Sequence, residues 1–278
     1  MLHNFAGYPT DGRNPLGRLV QATNGTFYGT TSEGGANGDG TVFSITSGGT
    51  LTTLDSFDGT DGQFPYGGLV QATNGNFYGT ALKGGASDYG TVFSITSGGT
   101  LTTLLSFDST DGAYPTAALV QATNGNFYGT TDGGGANSDG TIFSITSGGK
   151  LTTLHSFDST DGVLPYGGLV QATNGSFYGT TFEGGTSNDG TIFSLAVGLG
   201  PFVETVPTSG KVGAAVKILG TDLTGATSVT FNGTAATFTV VSRSEIMTTV
   251  PAGATTGKVN AVTPGGTLTS KVSFRVLP

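Results

Sequence analysis

The stretch Leu69-Val70-Gln71-Ala72-Thr73-Asn74-Gly75-Asn76-Phe77-Tyr78-Gly79-Thr80 occurs four times almost unchanged, beginning at Leu19, Leu69, Leu119 and Leu169. The copies stand 50 residues apart, and a second phrase recurs between them, Gly90-Thr91-Val92-Phe93-Ser94-Ile95-Thr96-Ser97-Gly98-Gly99-Thr100-Leu101. A period of this length confines the chain to architectures in which one small unit stacks on copies of itself: solenoids, propellers or arrays.

Within one period the pattern reads as four short strands. Leu69–Ala72 is followed by Thr73-Asn74-Gly75, where Asn-Gly is expected to supply the positive φ angles of a tight hairpin turn. Asn76–Thr80 is the second strand, and a glycine-rich loop leads to the third, Gly90–Thr96. Ser97-Gly98-Gly99 then turns the chain into Leu101–Phe107. Phe93 and Ile95 alternate with Ser94 and Thr96, the period-two signature of a strand with one buried face. The 50 glycines in 278 residues and the scarcity of helix formers agree with an all-β chain of many turns. Four strands per 50 residues predict the blade of a β-propeller.

The fourth copy supplies three of these strands before the period stops. Leu2-His3-Asn4-Phe5 matches Leu54-Asp55-Ser56-Phe57 and Leu154-His155-Ser156-Phe157, so the N-terminal segment is expected to complete the last blade as a latch. The expectation is a four-bladed propeller over residues 1–199. Two chains exchanging the latch would instead share an eight-bladed ring, so a monomer and a latch-exchanged dimer both stay open. From residue 200 a different grammar begins, with short alternating strands and regular turns through Pro278, predicting an Ig-like β-sandwich over 200–278.

Two resemblances follow from these motifs. Val206-Pro207-Thr208-Ser209-Gly210, Gly220-Thr221-Asp222-Leu223, Val229-Thr230-Phe231-Asn232-Gly233 and Val250-Pro251-Ala252-Gly253 make residues 201–278 similar to an IPT/TIG immunoglobulin-like domain. That resemblance implies a spacer or accessory module of secreted bacterial proteins. Through Asn-Gly-x-Phe-Tyr-Gly-Thr-Thr and Gly-Thr-Val/Ile-Phe-Ser-Ile-Thr, the repeats resemble the GloVer-type tandem repeat of exported bacterial proteins. It implies a secreted or cell-surface location and brings no catalytic residues with it. The first residues lack a basic and an apolar region of signal-peptide type, so a targeting segment is expected to lie outside this sequence.

Charge and composition narrow the partners. Residues 1–200 hold 4 basic and 15 acidic side chains, a net of −11, which argues against a nucleic-acid partner. No apolar run is long enough for a membrane-spanning helix, and with no cysteine there is neither a disulfide nor a thiolate metal site.

In a propeller the Thr-Asn-Gly and Ser-Gly-Gly turns lie on one face, and they barely vary among the four copies. The opposite face varies strongly. One loop position reads Ser32-Glu33, Leu82-Lys83, Asp132-Gly133 and Phe182-Glu183; the inter-repeat link reads Arg13-Asn14-Pro15, Gln63-Phe64-Pro65, Ala113-Tyr114-Pro115 and Val163-Leu164-Pro165. A ligand without fourfold symmetry needs unlike residues around it, so this face is the expected binding surface, unless the variation is mere drift in loosely constrained loops.

A polysaccharide or glycan is the expected partner, held by Arg13, Phe64, Tyr66, Lys83, Tyr89, Tyr114, Tyr166 and Phe182, since exposed rings stack on sugar faces. The alternative is a glycoside hydrolase. There Glu33 and Glu183, made neighbours by the latch, would form the carboxylate pair, and Asp132 could add a third carboxylate. A purely structural or protein-interaction scaffold is the third reading. No cofactor is expected, although Phe-Asp-x-Thr-Asp-Gly at Phe57–Gly62, Phe107–Gly112 and Phe157–Gly162 has the aspartates of a structural calcium loop. Turn capping by those aspartates is the simpler reading.

Overall fold

The computed structural model describes residues 1–278, all of it strands, turns and loops. The chain divides into two compact units, Met1–Val170 with Tyr178–Ser194, and Gln171–Phe177 with Leu195–Pro278.

The repeats form antiparallel sheets of propeller-blade type. In the second repeat, strands Val70–Gln71, Phe77–Ala81, Thr91–Ile95 and Leu101–Ser106 pair in sequence order, and the first and third repeats do the same. The fourth strand carries a bulge at Leu104, with Thr103 opposite Phe93 and Leu105 opposite Val92. The hairpin turn differs in detail from the expected one. Only Gly75 has positive φ (+88°), while Asn74 does not. Gly75 N–H donates to the Ala72 carbonyl, and the Asn74 side chain accepts from Asn76 N–H at 3.1 Å. Asparagine here caps the turn through its side chain, and glycine alone supplies the left-handed residue.

The core lies in the seams between repeats. Ala22, Tyr28 and Val42 of the first repeat pack with Phe57, Leu69, Phe77, Phe93 and Ile95 around the second. The next seam is built alike from Tyr78 and Val92 against Phe107, Leu119, Phe127 and Phe143. Tyr28 stacks on Phe77 and Tyr78 on Phe127, each with ring centroids 4.0 Å apart. Polar bonds cross the same seams: Thr80 Oγ1 donates to the Ala117 carbonyl at 3.0 Å, and Gln121 Oε1 accepts from Thr73 N–H at 3.1 Å.

The latch is not formed. Residues 1–7 belong to no strand, and the fourth repeat remains a three-stranded sheet ending at Thr191–Leu195. Ile192 is accordingly 84% exposed, whereas its equivalents Val42, Val92 and Ile142 are 2% exposed or less. Phe5 packs instead edge-on against Phe43 of the first repeat, 5.3 Å between centroids. The match of Leu2–Phe5 to Leu54–Phe57 is real, but it records contact with the repeat that follows. Phe57 lies in the same way on Phe93.

The second unit contains two four-stranded sheets. One orders Glu204–Val206, Ala215–Leu219, Glu245–Thr249 and Phe238–Ser242; the other orders Thr234–Ala235, Ser228–Phe231, Val259–Thr263 and Gly266–Thr269. Val216, Ile218, Val229, Phe231, Ile246, Val259 and Phe274 fill the core, one residue in two along each strand. The chain contains no helix long and apolar enough to cross a membrane.

Candidate functional site

On the variable face each link pairs with a loop. Arg13 bridges Glu33, Gln63 bridges Lys83, Ala113 bridges Gly133 and Val163 bridges Glu183, all antiparallel. The next link residue is left-handed in every copy: Asn14 at φ +58°, Phe64 at +56°, Tyr114 at +61° and Leu164 at +56°. Bulky side chains rarely adopt such a backbone, least of all before proline, so surrounding bonds must hold it. They do. Tyr114 N–H donates to the Tyr89 carbonyl at 2.8 Å, and the Tyr114 carbonyl accepts from Asp132 N–H at 3.1 Å. Leu164 is fixed in the same way between the Asp139 carbonyl and Phe182 N–H.

Around the third repeat's loops this face opens into a cavity of about 440 Å³, lined by Leu82, Lys83, Tyr114, Asp132, Gly133, Ser138, Leu164 and Tyr166. That volume lies within the range of small-molecule sites. The third repeat makes room for it: Gly133 stands where the other copies carry Glu33, Lys83 and Glu183. The side chain that distinguishes the cavity is Asp132, 6% exposed, at a position held by Ser32, Leu82 and Phe182 elsewhere. Its Oδ1 accepts a hydrogen bond from Thr116 Oγ1 at 2.8 Å. Burial pushes the carboxyl up to about 7, with the Thr116 bond pulling only partly the other way. Near neutral pH both its protonated and its charged forms are therefore populated.

The other predicted residues separate into groups. Lys83, Tyr114 and Tyr166 line the cavity with Asp132. Tyr89 meets Tyr114 edge-on at 5.8 Å, and Phe182 leans on Tyr166 at 5.5 Å, so each touches a lining ring without lining the cavity itself. Phe64 and Tyr66 belong to the second repeat's link and do not line it. Arg13 and Glu33 bond to each other, and Asn14 Nδ2 donates to Glu33 Oε1 at 3.0 Å, which occupies both carboxylate oxygens. Without the latch, the strand that would have made Glu33 and Glu183 neighbours is missing. Neither of them lines the cavity.

Leu82, Gly133 and Leu164 stand at the variable positions without being among the candidate ligand-holding residues, and Ser138 is a lining residue that the sequence comparison does not touch. The link position before proline, variable in type in every copy, was the signal that could have found Leu164.

The Asp-x-Thr-Asp phrases are turns. Asp58 Oδ1 accepts from Thr60 N–H at 2.9 Å, Thr60 Oγ1 at 2.6 Å and Asp61 N–H at 3.3 Å, and Asp108 does the same. These bonds hold the Asp58, Asp108 and Asp158 carboxyls below the usual range, with the threonine hydroxyl contributing most. No group of three or more His, Asp or Glu side chains is arranged to hold a metal ion.

Residues 1–193 match the model of the Gloeobacter/Verrucomicrobia repeat. The chain belongs to that repeat family. Residues 202–276 match the IPT/TIG domain, in agreement with the two-sheet sandwich. No curated protein matches the sequence. Among solved structures, virginiamycin B lyase from Staphylococcus aureus is similar at 14% identity, covering 95% of this chain and 85% of its own, with a TM-score of 0.44. A gluconolactonase from Xanthomonas campestris follows at 14% identity, 84% and 71% coverage and a TM-score of 0.43. At these identities no lyase or lactonase residue transfers to this repeat-family chain.

Proposed function

We propose that this member of the Gloeobacter/Verrucomicrobia repeat family is an exported carbohydrate-binding protein whose ligand enters the cavity at Asp132. The observation that carries the reading is a buried carboxyl beside Tyr114 and Tyr166 on the one face where the repeats differ. Aromatic walls cover the apolar faces of a sugar ring, and a single carboxyl can donate to one hydroxyl and accept from another. Lys83 at the rim adds a donor, with Tyr89 and Phe182 as supporting rings; Arg13, Phe64 and Tyr66 would serve an extended glycan further along the face. Export rests on the repeat family and the IPT/TIG domain.

Hydrolysis by Glu33, Glu183 and Asp132 is the weaker reading, because only Asp132 of the three lines the cavity. A glycan array followed by calorimetry tests binding, with reducing-sugar release measured in parallel. The expected result is binding by the wild type, weakened at least about tenfold in Asp132→Ala and Tyr166→Ala, without release. Release of reducing ends, abolished in Glu183→Gln, would replace this reading with the hydrolase; no glycan bound would leave the scaffold.

A further inference from the structure

The first and fourth repeats carry unmatched halves of one interface. Within the chain the interface recurs in a fixed form. The bulged Leu54 presses its carbonyl onto the turn of the next repeat, 2.7 Å from where a Cβ on Gly99 would stand, and Leu104 does so at Gly149, 2.5 Å. Phe57 and Phe107 then meet Phe93 and Phe143 edge-on at 5.2 and 5.3 Å. The segment Leu2–Phe5 copies this placement on the first repeat. The Leu2 carbonyl lies 2.8 Å from a Cβ on Gly49, and Phe5 meets Phe43 at 5.3 Å.

Leu54 belongs to strand Leu51–Ser56, which is hydrogen-bonded to the third strand of the repeat ahead of it, Thr41–Ile45. Leu2–Phe5 sits in the same position with no strand beside it. At the other end, Thr191–Leu195 is an edge strand with no strand paired on its outer side. The flanking faces are bare to match. Leu19 is 53% exposed where Leu69, Leu119 and Leu169 are 7% or less, and Ile192 is 84% exposed.

We propose that the fourth repeat of one chain docks ahead of the first repeat of a second copy, whose Leu2–Phe5 adds to the edge strand Thr191–Leu195. A second copy fits because the two surfaces already fit each other inside the chain. Thr191-Ile192-Phe193-Ser194 repeats Thr141-Ile142-Phe143-Ser144, and Leu19-Val20-Gln21 repeats Leu69-Val70-Gln71. The contact would bury two apolar faces and satisfy one exposed strand edge at once. It is heterologous, so two copies close a ring of eight repeats if the curvature permits and otherwise grow head to tail.

Light scattering and sedimentation of the full chain across micromolar concentrations test this. The wild type is expected at twice the 27.7 kDa of one chain, or as a longer series. Ile192→Asp and Leu19→Asp should each remain single chains with unchanged circular dichroism. Mixed together, they should form a one-to-one complex, weaker than the wild-type assembly because a single intact seam joins them. A wild type that stays at single-chain mass at every concentration would overturn the proposal. So would continued self-association of either variant, or a mixture that fails to combine.

Discussion

The second and fourth repeats share nine of the twelve residues in the three strands they have in common, yet differ in what those residues do. Val92 sits in a seam with Phe107 and Phe127, while Ile192, at the same place in the repeat, faces solvent. Burial in a repeat array belongs to the pair of neighbours and is not a property of the unit itself. The cavity opens where the third repeat departs from its copies, at Asp132 and Gly133.

The largest expected effect tests that contrast directly. Ile142→Ala should cost about 2–5 kcal/mol of stability and, in the dissociated single chain, Ile192→Ala under about 0.5 kcal/mol, measured by denaturant unfolding at low protein concentration. Equal losses in the single chain would show that the fourth repeat is covered from within its own chain.

A second effect compares the titration of Asp132 with that of the turn aspartates. Asp132 binds its proton more tightly in the folded protein, up to about 7, than in the unfolded chain, near 3.8. Below about pH 4 both states hold the proton and nothing is lost. Stability falls as pH rises from there to 7, by at most about 4 kcal/mol at roughly 1.4 kcal/mol per pKa unit. Asp55, pushed up to about 6 by burial and by Asp61 and Asp58, has the same sign over a narrower window. Asp132→Asn should therefore raise Tm at pH 8 and leave it unchanged at pH 4; a Tm unchanged at both would place the carboxyl in water. Asp58, Asp108 and Asp158 act in the opposite sense, favouring the fold at neutral pH and losing that contribution as the solution is acidified below about 4.

Two glycines of the same backbone type sharpen the comparison further. Gly99 has φ +93° with the Leu54 carbonyl in the way of any Cβ, whereas Gly75 has φ +88° and open space. Gly75→Ala should cost about 1 kcal/mol for its backbone alone, and Gly99→Ala more, because a seam must also shift. The smallest effect belongs to the Arg13–Glu33 pair, exposed at the first repeat's link. Arg13→Ala should change stability by less than about 1 kcal/mol.

Much of the architecture was legible because it is written four times over. The strand pattern of Phe93 and Ile95, the Gly-ended turns and the change of grammar after Gly200 all describe local structure, and local structure is what a repeat specifies. The cavity was half legible. Comparing the copies pointed to the face that carries the cavity and to Lys83, Tyr114, Asp132 and Tyr166 among its lining residues, because unlike residues at like positions stand out against an invariant scaffold. Leu82 and Leu164 stood at variable positions but gave no chemical signal, since an aliphatic residue in a loop looks the same whether it lines a hollow or fills one.

Leu2–Phe5 shows where the sequence runs out. Its match to Leu54–Phe57 determined which kind of surface it contacts: the face of a following repeat, with a phenylalanine edge-on to Phe43. Whether that segment also pairs with Thr191–Leu195 depends on where the three seams between the repeats bring the last repeat. The angles between repeats accumulate from packing across every interface, and no single residue encodes their sum. The sequence by itself therefore determined the unit and its contacts. The tertiary structure decided that the ends stay apart, that Glu33 is tied to Arg13, and that Asp132 is the carboxyl left facing a cavity.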